Sequence, residues 1–272
     1  MKVVLFCGGQ GLRLREYSDH VPKPMVPVGY RPIVWHLMKY YAHYGHKDFI
    51  LCLGHKADVV KDYFLNYNEA ASNDFVLRKG GHEIQLLSND ISDWTITFVD
   101  TGLNSNIGQR LLRVRDHLAG EEMFLANYAD NVTDAPLPAM IDHLVAQPEK
   151  VASFISVRPC HSFHVLDTDA NGEVRGVRAI ADADVWMNGG FFVFRSAFWD
   201  YIREGEEIVL QPFERLIASR RLTTFRHGGF WACMDTFKEK MTLDDLASRG
   251  AAPWMVWQTR GASGPPATRS AG

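Results

Sequence analysis

No apolar run in these 272 residues approaches the roughly 20 consecutive apolar positions that a membrane-spanning helix needs. The opening "MKVVLFC" breaks at Gly8, too short for the apolar core of a signal peptide and without a cleavage site behind it. It reads as a first strand. Cysteine is scarce and scattered: Cys7, Cys52, Cys160 and Cys233 form no C-x-x-C pair, so neither a zinc site nor a disulfide framework is suggested and a reducing cytoplasm is expected. Basic charge is not in excess either, with 29 Lys and Arg against 32 Asp and Glu and a formal charge of -3. That balance argues against a nucleic-acid binder, which concentrates Lys and Arg on one face, but leaves room for a small anionic ligand met by a few local cations. No partner nucleic acid or membrane is expected. No internal repeat is visible.

The apolar residues that are present fall into two alternating patterns. "VVLFC" and "DFILCLG" are short continuous runs ended by glycine, as in strands buried on both faces. Between them, apolar residues recur at helical spacing over 32–44, and Gly45 stands where a helix C-cap would. A second helix is expected over 57–67. Strand, helix, strand, helix is the signature of a parallel sheet with right-handed crossovers, so the fold class is α/β. Residues 68–93 are polar and give no clear element. Further strands are expected at 95–102, 122–130, 151–157 and 188–194, and further helices near 109–118, 136–146, 197–203, 211–220 and 236–249. Residues 163–179 alternate in shorter pieces around the turn "DANGE". The last stretch, "GASGPPATRSAG", lacks the apolar residues that could offset the entropy of ordering it, so 259–272 are expected to be disordered. No comparable linker interrupts residues 1–258, which are read as one domain with a first half of about 1–135 and a second of about 136–258.

Directly after the first strand comes "FCGGQGLRLREYSDHVPKPM", three glycines followed by well-separated Arg13 and Lys23. A glycine loop leaving a buried strand lets backbone N–H groups approach phosphate oxygens unobstructed. The dinucleotide fingerprint G-x-G-x-x-G fits Gly9 and Gly11 but finds Leu14 at its last position. A P-loop finds Arg13 where its second glycine belongs, with no Lys-Ser or Lys-Thr after it. The pattern G-G-x-G-x-R-L, followed about ten residues later by Lys-Pro, matches throughout.

On these residues, together with "PKPMVPVG", "PIVWHLMKYYAHYG", "TITFVDTG", "YAD", "MNGGFFVF", "GGFWACMDT" and "APWMVW", the chain resembles the sugar-1-phosphate nucleotidyltransferases, and more closely the glucose-1-phosphate cytidylyltransferases. The resemblance implies a Rossmann-like, mostly parallel mixed sheet flanked by helices, of the glycosyltransferase A-like type. It implies that a nucleoside triphosphate, CTP foremost, is joined to a sugar 1-phosphate with release of pyrophosphate, and that the protein is a homo-oligomer. In that scheme Gly8, Gly9 and Gly11 bring the backbone to the nucleotide, Arg13 neutralises the triphosphate, and Lys23 meets the α-phosphate. Thr101, Gly102 and Arg110 lie by the nucleotide, Asn188 and Gly189 face the acceptor, and Asp130 and Asp235 hold Mg²⁺. Each also has a plain structural reading: Lys23 as a surface lysine beside two prolines, either aspartate as a turn-former, Arg110 as a helix-start surface residue.

Three departures cluster on the acceptor side. Tyr-Gly-Asp-Gly of the relatives is Tyr128-Ala129-Asp130-Asn131, which keeps the carboxylate and loses both glycines. Their Glu-Lys-Pro is absent from "VRGVRAIADAD", residues 174–184, and no lysine occurs between Lys150 and Lys238. Arg178, or Arg175, is the expected substitute for the missing cation. Their "GRFG" is replaced in "CHSFHV", where His161 and His164 read as ordinary polar loop residues. The acceptor is therefore open to another sugar phosphate, small phosphate or phosphonate. Outside this class, a nucleotide-binding regulatory protein without transfer is one alternative and a dehydrogenase a weaker one.

Overall fold

A computed structural model describes residues 1–9, 21–159 and 163–258. The expectations for Gly11, Arg13, Cys160, His161 and residues 259–272 lie outside the described residues. In chain order, β1 (Val3–Phe6) leads to β2 (Pro27–Val28), β3 (Arg31–Pro32), α1 (Ile33–His43), β4 (Asp48–Leu53) and α2 (Ala57–Leu65). The hairpin of β5 (Phe75–Arg78) and β6 (Glu83–Leu86) precedes β7 (Thr95–Asp100), α3 (Ile107–Arg113), β8 (Met123–Asn127), β9 (Asn131–Thr133) and α4 (Leu137–Val145). Then follow β10 (Ala152–Val157), the hairpin β11 (His164–Thr168) and β12 (Val174–Ala179), β13 (Met187–Arg195), α5 (Gln211–Ala218), β14 (Leu222–His227), β15 (Trp231–Cys233) and α6 (Phe237–Ser248).

Seven strands form the central sheet in the order β14-β10-β13-β8-β1-β4-β7. Only β13 runs against its neighbours, β8 and β10; the other ladders are parallel. The continuous apolar run "VVLF" suits β1 to an interior position between β8 and β4, buried on both faces because neither face meets water. Its alternating side chains serve two cores: Val3 and Leu5 pack with α1, α2 and α4 on one face. Val4 and Phe6 pack with α3 and α5 on the other. Each such Val, Leu or Phe contributes about 1.5–3 kcal/mol when removed from water, so the two cores fix the sheet as a rigid floor.

Gly45 closes α1 as its position suggested. With φ +87° it adopts the left-handed turn, and its N–H and that of His46 satisfy the carbonyls of Ala42 and Tyr41 at 3.0 Å each. Other expectations shift. The helix foreseen over 109–118 is α3 followed by a separate 3-10 turn, Arg115–Leu118, and that near 197–203 is the 3-10 turn Ser196–Asp200. β14 has no continuous apolar run to announce it, since as an edge strand its residues are mostly half-exposed. The polar stretch 68–93 folds around a polar hub instead of an apolar one. Buried Arg31 donates to the Asn68 carbonyl at 2.8 Å and the Tyr63 hydroxyl at 3.1 Å, and its guanidinium lies 4.3 Å from the Tyr67 ring centre.

All strands of the sheet except β13 point their carboxyl ends the same way. Those ends, together with the start of β13, lie along one edge of the sheet, the usual ligand position in such sheets.

Candidate active site

Lys23 opens a short 3-10 turn, Lys23–Met25, set between Pro22 and Pro24. Two fixed φ angles hold its backbone before any ligand arrives. Its ammonium donates to Asp130 Oδ2 at 2.6 Å and also to Asp235 Oδ1. The lysine side chain is only 13% exposed, so it is no surface lysine.

The two aspartates meet because β9 and β15 pair, Asn131 opposite Cys233. One step beyond that rung Met234 N–H donates to the Asp130 carbonyl at 2.9 Å, which sets Asp130 and Asp235 side by side. Asp235 is held from behind as well. Thr236 caps α6, and Glu239 returns its carboxylate to the N–H groups of Asp235 (2.7 Å) and Thr236 (2.8 Å). This capping box is readable in "DTFKE" as T-x-x-E, a signal that sequence reasoning passed over. On the other side Ala129 occupies the left-handed region at φ +63°, the conformation that a glycine would adopt there without cost. The turn that aims Asp130 thus survives without its glycine.

Two carboxylates sharing one ammonium leave the cluster with one excess negative charge. Asp130 accordingly sits above the usual carboxylate range, through burial and the neighbouring Asp235, with Lys23 opposing. For Lys23 burial favours loss of the proton, but the charges and hydrogen bonds of Asp130 and then Asp235 outweigh it and raise its pKa. An added hard cation would balance the excess, and two convergent carboxylates are suitable donors for one.

Gly8, Thr101 and Arg110 are also brought together, in a different arrangement from the one expected. Arg110 is 2% exposed and turns inward. Its terminal nitrogens donate to the carbonyls of Gly8 (2.9 Å), Leu53 (3.1 Å) and Leu103 (3.4 Å) and to Thr101 Oγ1 (2.8 Å). Thr101, itself buried, donates to Leu53 O at 2.7 Å. The arginine therefore ties the ends of β1, β4 and β7 together, with Gly8 packed directly against it. Gly8 is required by contact: a Cβ there would lie 2.0 Å from Arg110 Nη1. Gly102, at φ +87°, likewise leaves no room for a side chain beside Arg113.

Phe6, Gly9, Lys23, Pro24, Ile107, Tyr128 and Asp130 enclose a cleft of about 170 Å³ at this edge. Tyr128 is kept protonated up to about 12 by burial, and its hydroxyl accepts from Asn188 Nδ2 at 3.3 Å. Asn188 thus adjoins the cleft. Gly189 serves packing instead, since a Cβ would meet Ile155 at 2.7 Å, and its carbonyl accepts from Trp231 Nε1 at 2.8 Å. Arg178 lies exposed on the separate β11–β12 ladder and makes no ion pair among the described residues, while Arg175 pairs with Asp169 at 3.3 Å. Neither is brought to Lys23.

A glycine loop, a lysine and two aspartates at the carboxyl edge of such a sheet correspond to a known family. The model described as "Nucleotidyl transferase" matches residues 2–225. The chain belongs to this nucleotidyltransferase family. Within it the chain is 38% identical over 260 residues to the glucose-1-phosphate cytidylyltransferase of Salmonella typhi, covering 95% of this chain and 100% of that protein. It is 32% identical over 259 residues to a probable glucose-1-phosphate cytidylyltransferase of Bacillus subtilis, covering 94% and 100%. The nucleotidyltransferase assignment covers the fold too. A solved UDP-glucose pyrophosphorylase bound to UDP-glucose superposes with TM-score 0.64 at 14% identity, over 92% of this chain and 98% of that one. The chain is thus an enzyme of the sugar-1-phosphate nucleotidyltransferase type. No helix among the described residues is long and apolar enough to cross a membrane.

Proposed function

We propose that this enzyme transfers a cytidylyl group from CTP to a sugar 1-phosphate with Mg²⁺, releasing pyrophosphate. The observation that carries the reading is the Lys23–Asp130–Asp235 cluster, which shares a cleft with Gly9. The names of the relatives support CTP and a sugar phosphate.

The reaction needs no protein nucleophile. An oxygen of the acceptor phosphate forms the new bond to the α-phosphorus as the bond to the pyrophosphate oxygen breaks, and the electron pair leaves with pyrophosphate. What the protein must supply is position and charge, because two anions are brought together. Cys7, the nearest thiol to the loop, is buried and its pKa is raised by that burial, so it stays an inert thiol. Lys23 keeps its proton and offers a fixed positive charge to the phosphate oxygens. Arg110 fixes Gly8 at the end of β1 through its carbonyl, and Tyr128 and Asn188 close the cleft on the acceptor side. Asp130 and Asp235 would hold the magnesium ion, which supplies charge neutralisation to the triphosphate when bound.

A variant of this reading has a specific observation behind it: no lysine lies between 150 and 238, so an acceptor other than glucose 1-phosphate fits as well. Pyrophosphate release from CTP, UTP, dTTP, ATP and GTP with Mg²⁺, against a panel of sugar 1-phosphates, small phosphates and phosphonates, decides. Release with CTP and at least one sugar 1-phosphate of the panel is the expected result. Activity only with another acceptor would redefine the substrate, and CTP binding with no release from any pair would overturn transfer in favour of a regulatory role.

A further inference from the structure

We propose that the acceptor carries a second anionic group, a carboxylate or a phosphate, at the end away from its reacting phosphate, and that Arg158 and Arg226 receive it over Trp186. The proposal rests on the transferase reading above and names the substrate class of that same site.

Three neighbouring strands bring these residues together at the same edge of the sheet. Arg158 directly follows β10, Trp186 directly precedes β13, and Arg226 is the next-to-last residue of β14. The guanidinium carbons lie 5.2 Å (Arg158) and 5.0 Å (Arg226) from the centre of the Trp186 ring. The indole is itself anchored, its Nε1 donating to Asp184 Oδ1 at 3.0 Å, and Arg158 Nη1 reaches the Ala183 carbonyl at 3.3 Å. Arg226 is exposed and makes no ion pair among the described residues. Held against the indole face, the Arg226 guanidinium keeps its N–H donors in its own plane, ready for the two oxygens of a carboxylate or phosphate, with the Arg158 guanidinium beside it on the same ring. Two of them against one ring form a positive subsite in a chain of net charge -3.

The cluster is continuous with the reaction centre. Arg226 pairs with Ser156 across one ladder and Ser156 with Asn188 across the next, so the three side chains share one face of the sheet. Asn188 reaches Tyr128, which lines the cleft with Lys23 and Asp130. Ser156, midway along this row, is 3% exposed, and its hydroxyl has no hydrogen-bond partner among the described residues. A buried hydroxyl left without a partner costs stability and keeps this row polar between the arginines and the reaction centre. Distance separates this subsite from the attacking group. Three strand spacings of about 4.8 Å put the Arg226 backbone about 14 Å from the end of β8, too far to serve the phosphate at Lys23 and suited to the far end of a sugar-sized body.

The test is calorimetric titration of the full chain with glucose 1-phosphate, glucuronic acid 1-phosphate and glucose 1,6-bisphosphate, repeated on the Arg158→Gln/Arg226→Gln double variant. At least one of the two doubly anionic compounds should bind tenfold or more tightly than glucose 1-phosphate. Which one does so identifies the second group as carboxylate or phosphate. The double variant should lose that preference while its affinity for CTP stays within twofold, the control for an intact fold. Equal affinities in the wild type, no saturable binding of either doubly anionic compound, or a preference that survives in the double variant would each overturn the proposal. Absence of pyrophosphate release by the wild type would instead strike the transferase reading, and the binding preference would still decide this one.

Discussion

Gly8→Ala is expected to cost about as much stability as removing Arg110, and the two losses should not add. The new Cβ would lie 2.0 Å from Arg110 Nη1 and 2.4 Å from its Cζ. The guanidinium cannot step aside cheaply, because its terminal nitrogens are bound to three carbonyls and to Thr101. Expelling it sacrifices at least two hydrogen bonds from a charged donor, each worth about 1.5–3 kcal/mol, so Gly8→Ala should destabilise by about 4 kcal/mol. Arg110→Ala loses the same bonds and should cost a similar amount. In the double variant the space that the methyl needs is already vacant, so the second change should add little, giving a coupling energy of about 3 kcal/mol. Urea denaturation of wild type, both single variants and the double variant measures it. Additivity within about 0.5 kcal/mol would refute the claim that Arg110 is locked against Gly8.

Glu239→Ala should destabilise by about 1–2 kcal/mol by removing the acceptor for the N–H groups of Asp235 and Thr236. It should also lower turnover roughly tenfold by loosening a site carboxylate. Unchanged turnover in the destabilised variant would show that the cap does not hold Asp235. Burial holds His36 at about 4 against an ordinary 6.5, its Nε2 2.9 Å from the Val28 carbonyl. The unfolded chain therefore binds a proton that the folded protein refuses between those values. Its contribution is complete above pH 6.5 and is lost as pH falls toward 4, by about 3 kcal/mol. His46 is also lowered to about 4 and titrates in the same window, so the readout is the difference between wild type and His36→Gln in urea midpoints at pH 7, 5.5 and 4.5. An identical pH slope in both would exclude His36 as the source.

How much of this was legible depended on whether a residue acts through local chemistry or through a long-range neighbour. The central strands, α1 with its Gly45 stop, and the α/β class follow from apolar periodicity, since β1 has no solvent-facing position to disguise it. Lys23, Asp130 and Asp235 were legible by resemblance; their meeting depends on the β9–β15 ladder, two three-residue strands too short to leave a periodic signal. Arg110 shows the opposite case. Its position in "IGQRL" suggested a nucleotide neighbour, but at one turn into α3 its side chain falls beneath β1 and β4, where carbonyls at the strand ends claim it. Arg178, or Arg175, was the expected substitute for the missing lysine, and both lie on the separate β11–β12 ladder, Arg175 paired with Asp169. Arg158, Trp186 and Arg226 come from three separate segments, and only sheet register reveals them as neighbours.

The most direct test of the central claim is turnover, read as pyrophosphate release with CTP, Mg²⁺ and the best acceptor, in Lys23→Ala and Asp235→Asn beside the wild type. If the cluster is where phosphoryl charge is neutralised, each variant should lose about a hundredfold or more in turnover while its urea midpoint shows that it still folds. Near-normal turnover in a folded Lys23→Ala enzyme would contradict the account.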